Sequence, residues 1–247
     1  MRTKMIGMLL LVLIAGLSGN LQAQTWNAYD QFDVTTPGGA DMWQYGYYET
    51  SMSHFWYNTI FNGTVWGGPS TNIIHGLAGN DGDSRGSIHC NFGESISKPG
   101  FPNGMYWSAY SVTMQIGNTA CIPALRFNVP ANGTYQVHVV FEHNTTNPGL
   151  VTDVGVMVNG TMVSREQVSG FQDGPENFFS YNQVLNLSAG DYIEAVMLPD
   201  SGVWRRVAVM FEVTVGTLPE PTMNLVMKLD AGVGATDPNR PGVPLVD

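Results

Sequence analysis

Charge is the scarcest property of this chain: 12% of its 247 residues are charged, with 10 basic side chains against 20 acidic ones. A nucleic-acid partner needs a basic footprint, so the balance argues against one. Cysteine is almost absent, and no Cys-x-x-Cys or His-x-x-x-His spacing supplies a zinc site. No apolar run is long enough to span a bilayer comfortably, the N-terminal one included. The 3.6-residue period of an amphipathic helix is also nearly absent, and no Gly-x-Ser-x-Gly elbow marks a serine hydrolase.

What is present begins with the address. Arg2 and Lys4 precede the apolar run from Met8 to Ala15, and Leu21-Gln22-Ala23 offers a small-residue exit. This is the pattern of a secretory signal peptide over residues 1–23. No Cys stands near the cut to be lipidated, so the chain is expected to be secreted, extracellular or at the cell surface, without a membrane span once mature. Removal of 23 residues from 247 leaves 224, and losing Arg2 and Lys4 moves the formal charge from −10 to −12. In an oxidising compartment, Cys90 and Cys121 read as one disulfide, with buried free thiols as the alternative. The bridge would close a loop of roughly 30 residues and stabilise by about 3–4 kcal/mol.

The body of the chain reads as strands. Short alternating runs separated by turn clusters predict strands near 42–48, 106–115, 123–129, 134–142, 152–158, 161–164, 183–187, 191–198 and 204–215. Residues 67–104, rich in Gly, Asn, Asp and Pro, are expected to be mostly loop. The pattern predicts an all-β fold, an antiparallel jelly-roll β-sandwich over 26–216. Asn159-Gly160 between two apolar runs predicts a two-residue hairpin turn, because both residues accept positive φ. Asn62, Asn132, Asn144, Asn159 and Asn186 each fit the glycan-acceptor pattern Asn-x-Ser/Thr. Turn chemistry accounts for Asn132 and Asn159 without sugar. A Pro-flanked linker follows at 217–223, and 224–247 starts like a further β domain or a tail.

Nine aromatic residues fall between Trp43 and Trp66. Trp43, Tyr45 and Tyr47, at spacing two, fit the core face of a strand. Tyr48, Trp56 and Tyr57 flank a loop and are the candidates for exposed rings that stack on sugar faces. Asn80, Asp81 and Asp83 in "GNDGDSRGS" offer oxygen ligands for calcium on a Gly-rich turn, where a solvated turn has the same composition. Glycoside hydrolysis needs two carboxylates facing across a cleft, and nothing pairs Glu142, Asp153, Asp191, Glu194 and Glu212. The five histidines are scattered. His138 and His143 are five residues apart on and just beyond one strand, so they point to opposite faces.

In this order, "MWQYGYYET", "ALRFNVPANGTYQVHVVFEH", "TDVGVMVNG" and "LNLSAGDYIEAVM" resemble an exported, carbohydrate-binding-module-like β-sandwich of planctomycete and PEP-CTERM-type surface proteins. The resemblance covers about 27–216 and implies a jelly roll. That family has a His-Pro-Gly segment before the Arg strand; here "HCNFGE" and "MQIGN" stand nearby, so no site residue is carried over from it. "NLVMKLDAGVGATDP" is similar to the opening of concanavalin-like (laminin-G-type) domains. The expectation is therefore a non-catalytic exported module for glycan binding, adhesion or surface architecture, with a polysaccharide or cell-surface glycan as partner. The alternatives are an accessory domain of a larger secreted glycan-degrading enzyme, and a self-associating structural subunit of a surface layer or filament.

Overall fold

The computed structural model describes residues 23–33, 36, 39, 42–49, 51–58, 60–61, 74–79, 82–92, 96–98, 105–107, 111–116, 121–144, 149–169, 178–198 and 205–216. The expected signal peptide, linker and residues 224–247 lie outside these, apart from Ala23. Among the described residues no helix is long and apolar enough to cross a membrane. The strands run β1 (Gln24–Asn27), β2 (Trp43–Glu49), β3 (Phe55–Tyr57), β4 (Ile60–Phe61), β5 (Ile74–Gly79), β6 (Gly82–Asn91), β7 (Ile96–Lys98) and β8 (Met105–Trp107). They continue β9 (Ser111–Ile116), β10 (Cys121–Asn128), β11 (Gly133–His143), β12 (Val151–Val158), β13 (Thr161–Ser169), β14 (Phe178–Leu187), β15 (Tyr192–Met197) and β16 (Arg205–Val215).

Two antiparallel sheets face one another. One is ordered β14-β11-β16-β9-β6-β5-β4, with β1 also on β16; the other is β13-β12-β15-β10-β2-β3. From β9 onward the chain keeps stepping between sheets, returning to the same one only for the β12–β13 hairpin. That is the winding of a jelly roll. Alternation sends one face of each strand inward. Trp43 and Tyr45 on β2, Leu125 and Phe127 on β10, Tyr135, Val137, Val139 and Phe141 on β11, and Val207, Val209, Phe211 and Val213 on β16 are all buried together. Trp43 sits at the centre, 5.1 Å from the Phe127 ring and 5.0 Å from Phe211. Its indole N–H donates to Gln31 Oε1 at 2.8 Å, so the polar end of the ring is satisfied. Each such side chain contributes about 1.5–3 kcal/mol by leaving water.

Residues 67–104 were expected to be mostly loop, yet β5, β6 and β7 fall there. The glycines misled the composition, because β6 uses small and polar residues on its outer side while Ile88 and Cys90 fill the core. The disulfide expectation is also corrected: Cys90 and Cys121 are both buried and no bridge joins them. A Cβ placed on Gly86 would lie 2.9 Å from Cys121 Sγ. Cys90 stands four residues farther along β6, roughly 13 Å away, which is beyond disulfide reach.

Three turns interlock at one end of the sandwich. Asn159 (φ 50°) and Gly160 (φ 76°) make the two-residue turn between β12 and β13, both in the left-handed region as the sequence predicted. Asn159 Oδ1 accepts from the Tyr192 N–H at 2.9 Å, and its Nδ2 donates to Asp191 Oδ1 at 3.0 Å. Asn132 Oδ1 accepts from the Ala189 N–H at 2.8 Å. Both Asn-Gly turns thus tie down the Ser188–Asp191 turn that launches β15.

Candidate functional site

The outer face of the six-stranded sheet carries a second cluster, separate from the core: Tyr48, Ile122, Ala124, Met157, Val196 and Leu198, with Met52, Phe55 and Met162 packed against it. Across it runs a row of paired positions, Gln44 on β2, Arg126 on β10, Glu194 on β15 and Met157 on β12. The Glu194 side chain is fully buried and that of Arg126 is 13% exposed. Glu194 Oε1 accepts from Arg126 Nε at 2.9 Å and lies 2.8 Å from its Nη2. It also accepts the Tyr48 hydroxyl proton at 2.6 Å, while Tyr48 Oη accepts from Arg126 Nη2 at 2.9 Å. The guanidinium is held between two rings, 3.9 Å from the Phe55 centroid and 4.2 Å from Tyr192. Burial opposes the charge on Arg126, but Glu194 and Tyr48 outweigh it and raise its pKa. Burial first, and then the bond to Glu194, push the Tyr48 hydroxyl well above its ordinary range.

Sequence dictates this packing at two small positions. Gly46 and Ala124 are paired on the outer face. A Cβ on Gly46 would come 2.3 Å from the Trp56 carbonyl oxygen and 2.5 Å from the Phe55 ring, so only glycine lets β3 close onto β2 there. Ala124 lies between Ile122 and Arg126 on the same side of β10.

Of the three expected exposed rings, two are exposed. Trp56 is 42% and Tyr57 46% exposed, both on the three-residue edge strand β3. Tyr48 is corrected: at 4% exposure it belongs beneath the rings, because Phe55 lies 5.4 Å over it and its hydroxyl is taken up by Glu194 and Arg126. Trp56 and Tyr57 are neighbours on a strand and so project to opposite sides. Tyr57 joins Phe55 on the outer face, 5.2 Å away, while Trp56 meets the His54 ring at 4.4 Å. The expected core residues Trp43, Tyr45 and Tyr47 are all buried. Sequence reasoning missed Arg126, Gln44, Phe55 and Tyr192. Opposite charges at the centres of two apolar strands, Arg126 and Glu194, were the available signal.

The oxygen cluster proposed for calcium is only partly in view. Asn80 and Asp81 lie outside the described residues. Asp83 belongs to β6 rather than to an extended turn, since Gly79 pairs with Gly82 and leaves two residues between the strands. Among the described residues no three His, Cys, Asp or Glu side chains gather closely enough to hold a metal ion.

A second polar concentration lies on the outer face of the other sheet. Ser87 pairs with Gln115 and His89 with Thr113, and Arg206 pairs with Gln115 on the next strand. All five are buried. Arg206 donates to Gln115 Oε1 through Nε at 2.6 Å and also through Nη2. Among the described residues, Ser87 Oγ, both His89 ring nitrogens, Thr113 Oγ1 and Gln115 Nε2 have no hydrogen-bond partner. Burial, then Arg206, lower the His89 pKa from its ordinary 6.5 to about 3. His138 and His143 face opposite sides of β11 as expected: His143 is fully buried beside the core, and His138 faces outward, 3.4 Å from Ser180.

The fold and this face define an antiparallel jelly-roll sandwich with an aromatic edge beside a buried Arg–Glu–Tyr group. No protein-family model and no curated protein matches the chain. Among solved structures, it is similar to a family 35 carbohydrate-binding module from Clostridium thermocellum, at 15% identity over 52% of this chain and 90% of that one, with a TM-score of 0.31. It is also similar to a CBM36 module in complex with calcium and xylotriose, at 16% identity over 51% and 91%, TM-score 0.27. Rabbit GITRL is matched at 14% identity over 38% and 74%, TM-score 0.28. Likeness at this level carries nothing about ligand or activity to this chain.

Proposed function

We propose that the chain is an exported, non-catalytic glycan-binding module whose contact surface is the β3 edge. One observation carries this reading: Trp56 and Tyr57 stay more than 40% exposed on a short edge strand while the aromatic residues of neighbouring β2 are buried. Exposed rings of this kind stack on the apolar faces of sugars. Glu194 is engaged by Arg126 and Tyr48, and Asp153 by Arg165 and Gln167. Those two carboxylates therefore serve the sheet rather than a hydrolytic pair. A shallow platform desolvates little, so affinity is expected to be weak. A calcium-stabilised rim at Asn80, Asp81 and Asp83 belongs to the same reading, as does a concanavalin-like domain beginning in 224–247.

The test is retention on a glycan array. Wild type should be retained by at least one glycan class, and Trp56→Ala should reduce that retention while leaving the melting temperature nearly intact. If Trp56→Ala instead collapses the fold, the ring belongs to the core. A second reading, a structural subunit of a surface layer or filament, is favoured by the long β14, which no other described strand pairs with on its outer edge. Polymerisation without retention of any glycan would decide for it.

A further inference from the structure

Among the described residues the two facing sheets run out at β14, β4, β13 and β3, and all but β14 are blunted. β3 has three residues and β4 two. β13 is nine residues long but carries Arg165 and Glu166, and Arg165 is ion-paired to Asp153. Short length and charge are what keep sheet edges from pairing with other chains. β14 has neither. Its ten residues, FFSYNQVLNL, contain no Lys, Arg, Asp, Glu or Pro, and among the described residues it pairs only with β11. Its outer side bears Phe178, 54% exposed, and Val184, 61% exposed, the two most exposed large apolar side chains among the described residues.

These two side chains lie on one face of the strand, placed symmetrically about Tyr181. A second copy of β14 laid antiparallel with Tyr181 opposite Tyr181 sets Phe178 of each chain against Val184 of the other. Ser180 then falls opposite Asn182. Directly opposite aromatic and β-branched residues are a favourable cross-strand pair, and a two-fold axis makes the contact twice. No like charges meet, because the strand has none.

We propose that β14 is a self-association edge, through which two copies join their eight-stranded sheets into one continuous sheet centred on Tyr181. The inference stands apart from the glycan reading, since β14 and β13 border one side of the sandwich and β3 and β4 the other.

Sedimentation of the full chain over a concentration series tests it. Wild type should show a monomer–dimer equilibrium, and Val184→Lys should weaken association at least about tenfold with an unchanged melting temperature, because the side chain is exposed. Register is tested by oxidising an equimolar mixture of Phe178→Cys and Val184→Cys chains, which should cross-link with each other. Neither variant alone should cross-link comparably. Trp56→Ala should leave association unchanged. A wild type that stays monomeric throughout, a Val184→Lys chain that associates as before, or cross-linking of a single variant by itself would each overturn the proposal.

Discussion

Replacing Glu194 with Ala removes the acceptor at the centre of the outer-face cluster. Arg126 then loses its bonds at 2.9 and 2.8 Å while staying wedged between Phe55 and Tyr192, and the Tyr48 hydroxyl loses the acceptor of its 2.6 Å bond. Removing one partner of a buried ion pair costs about 3–5 kcal/mol, because the other charge remains desolvated and uncompensated. For a domain of this size that lowers the melting temperature by about 6–20 °C. Replacing both Arg126 and Glu194 with Met should recover most of the loss, since a well-packed apolar pair of similar volume is often neutral. Urea denaturation of wild type, Glu194→Met, Arg126→Met and the double Met variant supplies the cycle. A coupling of at least about 2 kcal/mol is expected. A loss below about 1 kcal/mol for Glu194→Ala, or a strictly additive double variant, would refute the view that these groups form one buried unit.

Three further outcomes follow from the geometry. The native His89 value of about 3 lies below its ordinary 6.5. Its contribution is therefore fully present above pH 6.5 and lost as pH falls toward 3, by about 1.4 kcal/mol per unit. His89→Gln should flatten that slope in urea titrations between pH 6.5 and 4, and an unchanged slope would assign the acid loss to other groups. Gly160→Val should destabilise by roughly 1–3 kcal/mol, since φ is 76° there, and an unchanged denaturant midpoint would contradict the turn. Mass spectrometry under denaturing, non-reducing conditions should find two alkylatable thiols, Cys90 and Cys121, and finding none would restore the disulfide.

The strands of the second half were legible because their alternation is clean. Tyr135, Val137, Val139 and Phe141 interleave with polar residues, and β10, β11, β12, β15 and β16 fall within about two residues of where the pattern placed them. β5 and β6 were not legible: "IHGLAG" and "GDSRGSIHCN" owe their strand state to neighbours on either side, a tertiary effect that composition hides. The candidate site was half legible. Trp56 and Tyr57 announced themselves as aromatics beside a loop. Tyr48 looked the same in sequence, and only the pairing of β2 with β3 and β10 shows that Phe55, Arg126 and Glu194 cover it. Strand order, which no local pattern encodes, brought Arg126 and Glu194 together across 68 residues.

The claim that glycan is held at the β3 edge is tested most directly by hydroxyl-radical footprinting, with and without the oligosaccharide best retained on the array. Trp56 and Tyr57 should become protected in the complex while Phe178 and Val184 on β14 keep their reactivity. Unchanged oxidation of both β3 rings in a saturated complex would contradict it.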